Sequence, residues 1–287
     1  MHLLQLVLNG LMAGTILAVP AIGLTALFAV LRFTNFALAS HMTIGAYAGF
    51  VANVWLGWPA ELALVAAFAV AGLVGLVSDE LILKPLRAAG FITTAIGSIA
   101  LTILLENVIR FIFANNMRGY ALPLRRDWVI TEGLRVSPQQ VENLVIAVIV
   151  MGLLFAFLAL TRMGKAMRAV ADNPMLAAIK GINADAVART VSFVAMGLAG
   201  LGGMLIGLDT TIDPLVGFKT ILSVFAAAVV GGLGSIPGAV IGALVIGVGE
   251  ELSVLYLGPA YRTAFGFIAI LLVLTFRPRG ILGARAY

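Results

Sequence analysis

Residues 162–189 read RMGKAMRAVADNPMLAAIKGINADAVAR, the only long polar stretch of the chain that also concentrates basic charge. On both sides of this stretch lie apolar runs that are long enough to cross a lipid bilayer. A basic polar segment between two such runs indicates a membrane protein with a structured segment on its cytoplasmic side.

This segment carries signals of folded structure rather than of a plain solvated loop. Asp172 or Asn173 is suited to cap a helix, and Pro174 is suited to its first position. Gly181 is suited to end this helix. Asn183 is suited to begin a second helix that continues into the next apolar span. A short helix held beneath the membrane in this way suits docking against a soluble partner.

The composition places the chain among integral membrane proteins. Apolar residues make up 62% of the sequence, charged residues 11%, and the mean hydropathy is +1.11. The 32 glycines agree, because membrane helices pack by close backbone contact at small residues. The long unbroken apolar runs exclude the alternating strands of a β-barrel. We predict an all-α polytopic transmembrane bundle that forms one domain, residues 1–287.

The charge and cysteine counts exclude several classes of function. A net charge of +5 does not indicate a nucleic-acid partner, because Lys and Arg are scattered among loops without an aromatic stripe. The absence of cysteine excludes disulfides, thiol catalysis and cysteine-ligated metals. The first apolar segment lacks a basic start, so we expect a retained span rather than a signal peptide.

Charged residues should mark the span boundaries, because one Arg, Lys or Asp at mid-bilayer costs about 2.5–3.5 kcal/mol. A span needs roughly 20 apolar residues, and several charge-free runs are too long or too short for this. We therefore predict about eight spans, give or take one. The charge-free runs are Leu3–Leu31, Phe33–Ala60, Leu62–Ser78, Phe91–Leu105, Leu144–Thr161, Thr190–Leu208, Thr220–Gly249 and Thr263–Phe276.

Lys and Arg also set the expected orientation, because basic loops stay in the cytoplasm. On this rule residues 79–90, residues 162–189 and the C-terminal tail with Arg277, Arg279 and Arg285 are cytoplasmic. Counting crossings from residues 79–90 places the loop 114–142 on the periplasmic side, although it is rich in arginine. We follow the crossing count, because acidic residues are interspersed there. The arginines of this loop are Arg118, Arg125, Arg126 and Arg135.

The same reasoning predicts a break in the run Thr220–Gly249. The chain must cross an even number of times between Arg189 and Arg277, and a single span there gives an odd number. We expect the break at GGLGSIPG, Gly231–Gly238, with the preceding element beginning near Pro214. No GK[ST] ending follows, so this is not a phosphate loop. It is either broken backbone that lines a cavity or a tight turn with close helix packing.

Polar side chains inside the apolar runs are further candidates for function. The side-chain amide of Asn35, which precedes Phe36, needs a hydrogen-bond partner if it lies in the hydrocarbon region of the membrane. Asn35 either caps a helix or bonds to a second helix at the cytoplasmic edge, or it lines a substrate path. Glu106 and Arg110 share one helix face, where they form an interfacial ion pair or line a cavity. Asn107 beside them is a candidate for bonding between helices.

No catalytic, metal or cofactor site can be assembled from the sequence. Glu250 and Glu251 end a predicted helix, but adjacent helical residues point about 100° apart and do not converge on one atom. His2 lies at the terminus and His41 stands alone, so neither a metal cluster nor a Ser-His-Asp arrangement is available. We expect no enzymatic activity in this chain.

Several short motifs spread over nearly the whole chain occur together. The weaker ones are NFA at Asn35–Ala37, IGAY at Ile44–Tyr47, KPLR at Lys84–Arg87, AIG at Ala95–Gly97 and LLEN at Leu104–Asn107. The stronger ones are RMGKAMRAVADNPMLAAIKGIN at Arg162–Asn183, VVGGLGSIPGAVIGALVIGVGE at Val229–Glu250 and RPRGILG at Arg277–Gly283. With these motifs the chain resembles the inner-membrane permeases of branched-chain amino acid ABC importers, of the high-affinity leucine-isoleucine-valine type.

The resemblance implies a multi-pass permease of the bacterial inner membrane with a cytoplasmic C-terminus and no nucleotide site of its own. The implied partners are a homologous second permease in a heterodimer, two cytoplasmic ATPase subunits that hold ATP and Mg, and a periplasmic substrate-binding protein. The ATPases are expected to contact the coupling loop 162–189 at Gly164, Arg168, Ala169, Pro174, Met175, Leu176, Ile179, Gly181, Ile182 and Asn183. The translocation path is expected at Asn35, Phe36, Asn107, Gly231, Gly232, Gly234 and Ser235.

The chain departs from the family after NFA, where Leu38-Ala39-Ser40 replaces the usual His-Gly-Glu. If that stretch touches substrate, the cargo need not be a branched-chain amino acid. Similar permeases carry other amino acids, urea and short amides, or small organic acids.

Two other classes of function stay open at this stage. An ion-coupled secondary transporter normally needs membrane-embedded carboxylates or a half-helix ion site, and Glu106 is the one candidate. An intramembrane enzyme would need an acid or a nucleophile deep in a span.

Overall fold

A computed structural model describes residues 2–123, 127–131, 134–258 and 261–283. Over these residues the chain forms twelve α-helices and one short β-hairpin. The helices are α1 (His2–Leu31), α2 (Leu38–Phe50), α3 (Ala60–Ser78), α4 (Lys84–Arg87), α5 (Phe91–Phe113), α6 (Pro138–Leu160), α7 (Arg162–Asp172), α8 (Pro174–Ile179), α9 (Ala184–Asp209), α10 (Val216–Gly231), α11 (Ile236–Leu257) and α12 (Arg262–Phe276). One π-helical turn, Val51–Trp55, extends α2, and another, Asp79–Leu83, joins α3 to α4.

The number of apolar helices confirms the predicted bundle. Six helical segments are long and apolar enough to cross a membrane, and α10 and α12 are shorter apolar helices. The break in the run Thr220–Gly249 is also confirmed, because α10 ends at Gly231 and α11 begins at Ile236. The element before the break begins at Val216, two residues after Pro214.

Two ends of the bundle can be distinguished by what α1 contacts. Near its start, Gln5 Nε2 donates to the backbone carbonyl of Arg135, 2.7 Å away. Immediately after its last turn, Arg32 donates to the backbone carbonyl of Ala171 in α7. We name the end that holds residues 114–137 the loop end, and the end that holds α7 and α8 the docking end.

The loop end contains a hairpin that the sequence reading did not predict. Strand β1 (Trp128–Thr131) pairs antiparallel with β2 (Leu134–Val136). The predicted loop 114–142 is also shorter than expected, because Ser137 and Gln140 form a capping box that starts α6 at Pro138. Arg125, Arg126 and Arg285, which the orientation argument used, lie outside the described residues.

The centre of the bundle is formed by α1 and α9, whose apolar stretches are 78% and 83% buried. Helix α9 packs against α1, α2 and α3, while α1 also packs along α11. Glycines permit the closest crossings: Gly45 of α2 meets Gly200 of α9 backbone to backbone. A Cβ atom on Gly203 would overlap the backbone carbonyl group of Met42. Small residues at these crossings let helices approach where no hydrophobic force draws them together.

We expect Gly203→Val to destabilise the bundle by about 1–3 kcal/mol or more, because the added side chain overpacks the crossing of α2 and α9. Gly152→Val in α6 is the matched control, since a Cβ at Gly152 meets no atom within 4 Å. Thermal unfolding of the detergent-solubilised protein, followed by fluorescence-detected size exclusion, measures the difference. Equal melting temperatures for the two variants would contradict this account of the core.

Candidate docking and translocation site

The docking end begins with α7, an amphipathic helix that the sequence reading treated only as a polar stretch. Thr161 caps it, because its side chain accepts a hydrogen bond from the backbone N–H of Gly164 at 2.9 Å. Gly164, Met167 and Val170 are buried against the bundle, whereas Arg168 faces outward. Buried residues at this three-residue spacing are the signal that would have predicted the helix.

The predicted short helix is confirmed as α8, which ends at Ile179. Of the two candidate caps, Asp172 and Asn173, it is Asn173 that caps α8. Its Oδ1 accepts a hydrogen bond from the backbone N–H of Leu176 at 3.0 Å. Pro174 occupies the first position, as predicted. Gly181 terminates the turn with a φ of +80°, a left-handed conformation that favours glycine.

One face of α8 is apolar and exposed. Met175, Leu176 and Ile179 have relative exposures of 77%, 53% and 76%. Ala177 is buried on the opposite side of the same helix. An exposed apolar face on a short capped helix, outside the membrane-spanning segments, is typical of a surface that another protein covers.

A short connection carries α8 into the most buried helix of the bundle. The backbone N–H of Ile182 donates to the carbonyl of Ala177 at 3.0 Å. Asn183 then caps α9, because its Oδ1 accepts from the N–H of Ala186 at 3.1 Å. The predicted second helix start at Asn183 is therefore confirmed. Two capped turns and the four residues 180–183 therefore connect α8 to α9.

An ionic cluster that the sequence reading missed ties α9 to α3. Glu80, on the π-helical turn after α3, accepts from Nε of Arg189 at 2.8 Å. Lys84 lies 3.3 Å from Glu80 and 3.6 Å from Asp185. The spacing of Glu80 and Lys84 predicts their contact, but Arg189 is 109 residues away in sequence and no local pattern connects it.

The same π-helical turn is tied to the segment after α1. Asp79 is buried and pairs with Arg87, whose guanidinium carbon lies 5.5 Å above the ring of Phe33. Cation–π contacts of this kind are favourable at partly buried sites. The ionic cluster thus reaches from α9 to the turn that holds Asn35.

Asn35 lies in this turn, between α1 and α2, and is 1% exposed. Its Oδ1 accepts from the backbone N–H of Ala37 at 3.0 Å, while its Nδ2 has no hydrogen-bond partner among the described residues. The cap-like bond was one of the two predicted roles. The unsatisfied amide nitrogen is the more informative feature, because a buried polar atom without a partner is costly and needs an explanation.

Phe36 joins the turn to two other helices. Its backbone N–H donates to Ser98 Oγ at 3.1 Å, and its carbonyl accepts from Thr102 Oγ1 at 3.1 Å, both on α5. Its ring stacks on Phe225 of α10, with centroids 6.0 Å apart. The Asn35–Phe36 turn therefore lies where α2, α5 and α10 meet.

The glycine-rich break has the geometry of a tight turn. Gly231 and Gly238 pack against each other, and Ser235 caps α11 by accepting from the N–H of Gly238 at 3.2 Å. Gly232 and Gly234 adopt φ values of +110° and +94°. Of the two interpretations left open above, close helix packing is the one that these contacts describe.

The C-terminal segment, residues 277–283, completes this turn. The backbone N–H groups of Ile281 and Leu282 donate to the carbonyls of Val230 and Gly231 at 2.8 and 3.0 Å. These bonds satisfy carbonyls at the end of α10 that would otherwise lack partners. The two strong motifs GGLGSIPG and RPRGILG therefore meet in space.

The predicted contacts of the Glu106 cluster differ in the structure. Glu106 is 6% exposed, and neither its Oε1 nor Nε of Arg110 has a hydrogen-bond partner. The expected interfacial pair is thus not hydrogen bonded at these atoms, because Glu106 turns into the bundle. Within the part of the chain that the structure describes, the hydrogen bond of Asn107 stays inside its own helix, because its Nδ2 donates to the carbonyl of Ile103 on the exposed face of α5.

The expectation that Glu250 and Glu251 end a helix was wrong, because α11 continues past them to Leu257. The two carboxylates contact different atoms of Arg262 on the neighbouring α12: Nε lies 3.7 Å from Glu250, and Nη2 lies 2.5 Å from Glu251. Ser223 donates to Glu250 at 2.5 Å, so this group forms a polar cluster within the bundle.

These features define a class: a multi-pass α-helical membrane protein with a short capped helix at one end, whose exposed face is apolar. Residues 6–275 match the model of the family described as branched-chain amino acid transport system, permease component. The chain belongs to this family, and it is the permease component of an ABC importer rather than an enzyme.

Relatives of nearly the same length support this assignment. The high-affinity branched-chain amino acid permease LivH of Escherichia coli K12 is 32% identical over 99% of this chain and 96% of its own length. BraD of Pseudomonas aeruginosa is 32% identical over 98% and 96%. A probable LivH of Methanocaldococcus jannaschii is 31% identical over 97% and 92%.

We expect Asn173→Ala to loosen α8, because loss of a helix cap costs about 0.5–2 kcal/mol and α8 is too short to form by itself. Hydrogen–deuterium exchange of residues 174–180 should accelerate. Asn173→Asp keeps an acceptor at the cap and should exchange like the native protein. Unchanged exchange in the alanine variant would show that the cap does not hold this helix.

Proposed function

We propose that this chain pairs with a homologous second permease to form the translocation path of an importer in the bacterial inner membrane. Two cytoplasmic ATPase subunits, which hold ATP and Mg, dock at its docking end, and a periplasmic binding protein delivers the solute at its loop end. The observation that carries the proposal is the exposed apolar face of α8 on a capped turn.

Docking is proposed to occur through two sets of residues in the coupling loop. Met175, Leu176 and Ile179 insert into a groove of the ATPase, as an amphipathic helix does in many complexes. The other residues hold α8 in place or flank it: Gly164, Arg168, Ala169, Pro174, Gly181, Ile182 and Asn183. Gly164 fits this role, because a Cβ there would overlap the backbone at the end of α6.

Motion of α8 is proposed to pass into the bundle by two routes. The first is the continuous connection from α8 through the cap at Asn183 into α9. The second is the contact between Arg189 and Glu80, which joins α9 to the π-helical turn after α3. A π-helical turn interrupts the regular hydrogen bonding of a helix and is often found at functional sites.

The translocation path is proposed to include Asn35 and Phe36, together with the turn formed by Gly231, Gly232, Gly234 and Ser235. The buried, unpaired Nδ2 of Asn35 supports this, because a passing polar solute offers it an acceptor. Asn107 lies on the exposed face of α5, so it reaches the path only where the second permease closes against that face.

The solute is proposed to be a branched-chain amino acid, a related amino acid, or a small polar organic solute such as an amide or organic acid. The names of the relatives favour the first of these. The departure at Leu38, Ala39 and Ser40 keeps the other solutes in the proposal, because these residues directly follow the Asn35–Phe36 turn and are as buried as Asn35.

The docking end is proposed to face the cytoplasm, which places the C-terminal segment there as well. Basic residues at this end support the orientation, and they include Lys165, Arg168 and Lys180. The loop end with the hairpin then faces the periplasm.

We expect Gly181→Val to uncouple ATP hydrolysis from uptake, because valine is strained at a φ of +80° and the turn that holds α8 would distort. Arg168→Ala should act in the same direction. Substrate uptake and ATPase activity are measured on the same proteoliposomes of the assembled importer. Gly119→Val, at an open loop-end position, is the control.

Two results would contradict the proposal. One is unchanged coupling in Gly181→Val and Arg168→Ala. The other is uptake that persists without the ATPase subunits and collapses with an ionophore, which would instead indicate an ion-coupled secondary transporter.

We expect Glu80→Arg to lower the solute transported per ATP hydrolysed, because it breaks the contact with Arg189. The double variant Glu80→Arg with Arg189→Glu should recover part of the loss, since Lys84 still repels the new arginine. The pair is partly exposed, so the thermal stability should change little. Equal losses in the single and double variants would remove this contact from the mechanism.

A further inference from the structure

A small cavity lies at the loop end, between α1, α9, α10, α11 and α12. Its volume is about 220 Å³, which is below the roughly 300–1,000 Å³ of pockets for drug-sized ligands. Lys219 and Arg262 stand at its rim, with side chains 59% and 44% exposed. The cavity therefore has the size of a site for a small solute, and it is open to the loop end.

The floor of the cavity is a buried carboxylate in a membrane-spanning helix. Glu250 lies seven residues before the end of α11, and Ser223 lies seven residues after the start of α10. At about 1.5 Å per residue, both are roughly 10 Å from the helix ends at the loop end. The side chain of Glu250 is 5% exposed. An ionisable side chain at this depth is costly and is therefore a candidate functional group.

Glu250 is only partly satisfied by its described neighbours. Its Oε1 accepts a hydrogen bond from Ser223 Oγ at 2.5 Å. Its Oε2 lies 3.7 Å from Nε of Arg262, which is beyond hydrogen-bond distance. Oε2 can therefore accept a hydrogen bond from a molecule in the cavity.

The two cations at the rim are each held by a carboxylate from outside the lining. Nζ of Lys219 lies 2.6 Å from Asp213, and Nη2 of Arg262 lies 2.5 Å from Glu251. Neither of these carboxylates is among the described residues that line the cavity. Each rim cation is therefore largely neutralised before a ligand arrives.

The lining itself adds two more carboxylates, those of Asp209 and Glu250. Asp209 is the last residue of α9 and lies at the rim. In this part of the described structure, four carboxylates therefore share two cations. Carboxylates that outnumber the cations attract a positively charged ligand and repel an anion.

Another part of the lining is apolar and selects the kind of cation. It is formed by Ile16 and Leu17 of α1 and Ile206 of α9. A metal cation takes a close shell of oxygen ligands at about 2.0–2.6 Å. An apolar wall, around a space that corresponds to about seven water molecules, does not supply such a shell. An ammonium group on an apolar body matches both the carboxylates and the apolar wall.

We propose that this cavity binds a small organic solute in which an ammonium group is attached to an apolar body. The ammonium group donates to Oε2 of Glu250, and the body packs against α1 and α9. The inference rests on the proposed function and narrows its solute to amine-bearing molecules, such as aliphatic amino acids. Amides and organic acids lack the ammonium group and are not ligands of this site.

Because the chain has no cysteine, a single introduced cysteine can report the charge of the cavity. Thr220→Cys lies in the lining, and Val129→Cys, at a position 65% exposed in the hairpin, is the loop-end control. The assembled importer in nanodiscs is treated with cationic aminoethyl or anionic sulfonatoethyl methanethiosulfonate, and mass spectrometry of this chain measures the reaction rate. Relative to the control, the cation should react about ten-fold faster than the anion at Thr220→Cys, because the carboxylates concentrate it.

Protection from the cationic reagent identifies the class of ligand. L-leucine and isoamylamine carry an ammonium group on a branched aliphatic body, and both should slow the reaction of Thr220→Cys. The compound 4-methylpentanoate has the body and the carboxylate of leucine without the ammonium group, and it should not slow the reaction.

Two pairs of variants, made in the Thr220→Cys chain, separate the charge from the space. Glu250→Gln should weaken protection by L-leucine about ten-fold or more, as the loss of a hydrogen bond to a charged group does. Glu106→Gln, at a buried carboxylate outside the cavity, should leave the protection unchanged. Ala13→Phe should fill the cavity and abolish the protection, whereas Leu11→Phe, at an exposed position of the same helix, should not.

Equal rates for the two reagents at Thr220→Cys, or no reaction there, would overturn the charge assignment. The ligand assignment would be overturned by absent protection, by equal protection from 4-methylpentanoate, or by protection that survives both Glu250→Gln and Ala13→Phe. Uptake of L-leucine by the cysteine-free importer is measured in parallel. Normal ATP-driven uptake together with any of these results removes this site and leaves the proposed function intact, whereas uptake without the ATPase subunits contradicts the proposed function.

Discussion

Close contact between helix backbones is the constraint on which the rest of this structure depends. In a bilayer no water is left to drive helices together, so packing must come from surface that fits at short range. Helix α9 meets this condition, because Gly200 and Gly203 bring it against the backbone of α2. The same helix also contacts α1 and α3. A helix buried on so many sides cannot shift without its neighbours, and this makes it suitable to receive motion from outside the membrane.

In the proposed mechanism, that motion enters the protein at the docking end. Helix α8 is short, so it depends on the caps at Asn173 and Asn183 and on the glycine turn at Gly181. Its buried side is fixed to the bundle while its other side is apolar and exposed. The contact between Glu80 and Arg189 adds a second link, from α9 to α3. The arrangement joins an external surface to the membrane core by short, stiff connections.

Local patterns predicted those parts of the molecule that depend on neighbouring residues. Three kinds of feature were predictable, because each is determined within a few positions of the chain. They are the apolar runs, the break at Gly231–Gly238, and the helix caps at Asn173 and Asn183. The hairpin at the loop end was not predicted, because its strands are too short to give a clear alternating pattern in the sequence. Helical spacing left two roles open for Glu106, an interfacial pair with Arg110 or a cavity lining, and its burial was not predictable because other helices create its environment.

The sequence by itself determined that this is a membrane-embedded helical bundle with a capped helix outside the bilayer, because hydropathy and capping act over short distances along the chain. Only the tertiary structure decided which residues meet: Glu80 with Arg189, Arg262 with both Glu250 and Glu251, and the C-terminal segment with the glycine turn. It also decided that Asn35 keeps one buried polar atom unpaired. The physical reason is that these contacts join distant parts of the chain, and their geometry is fixed by how the helices cross.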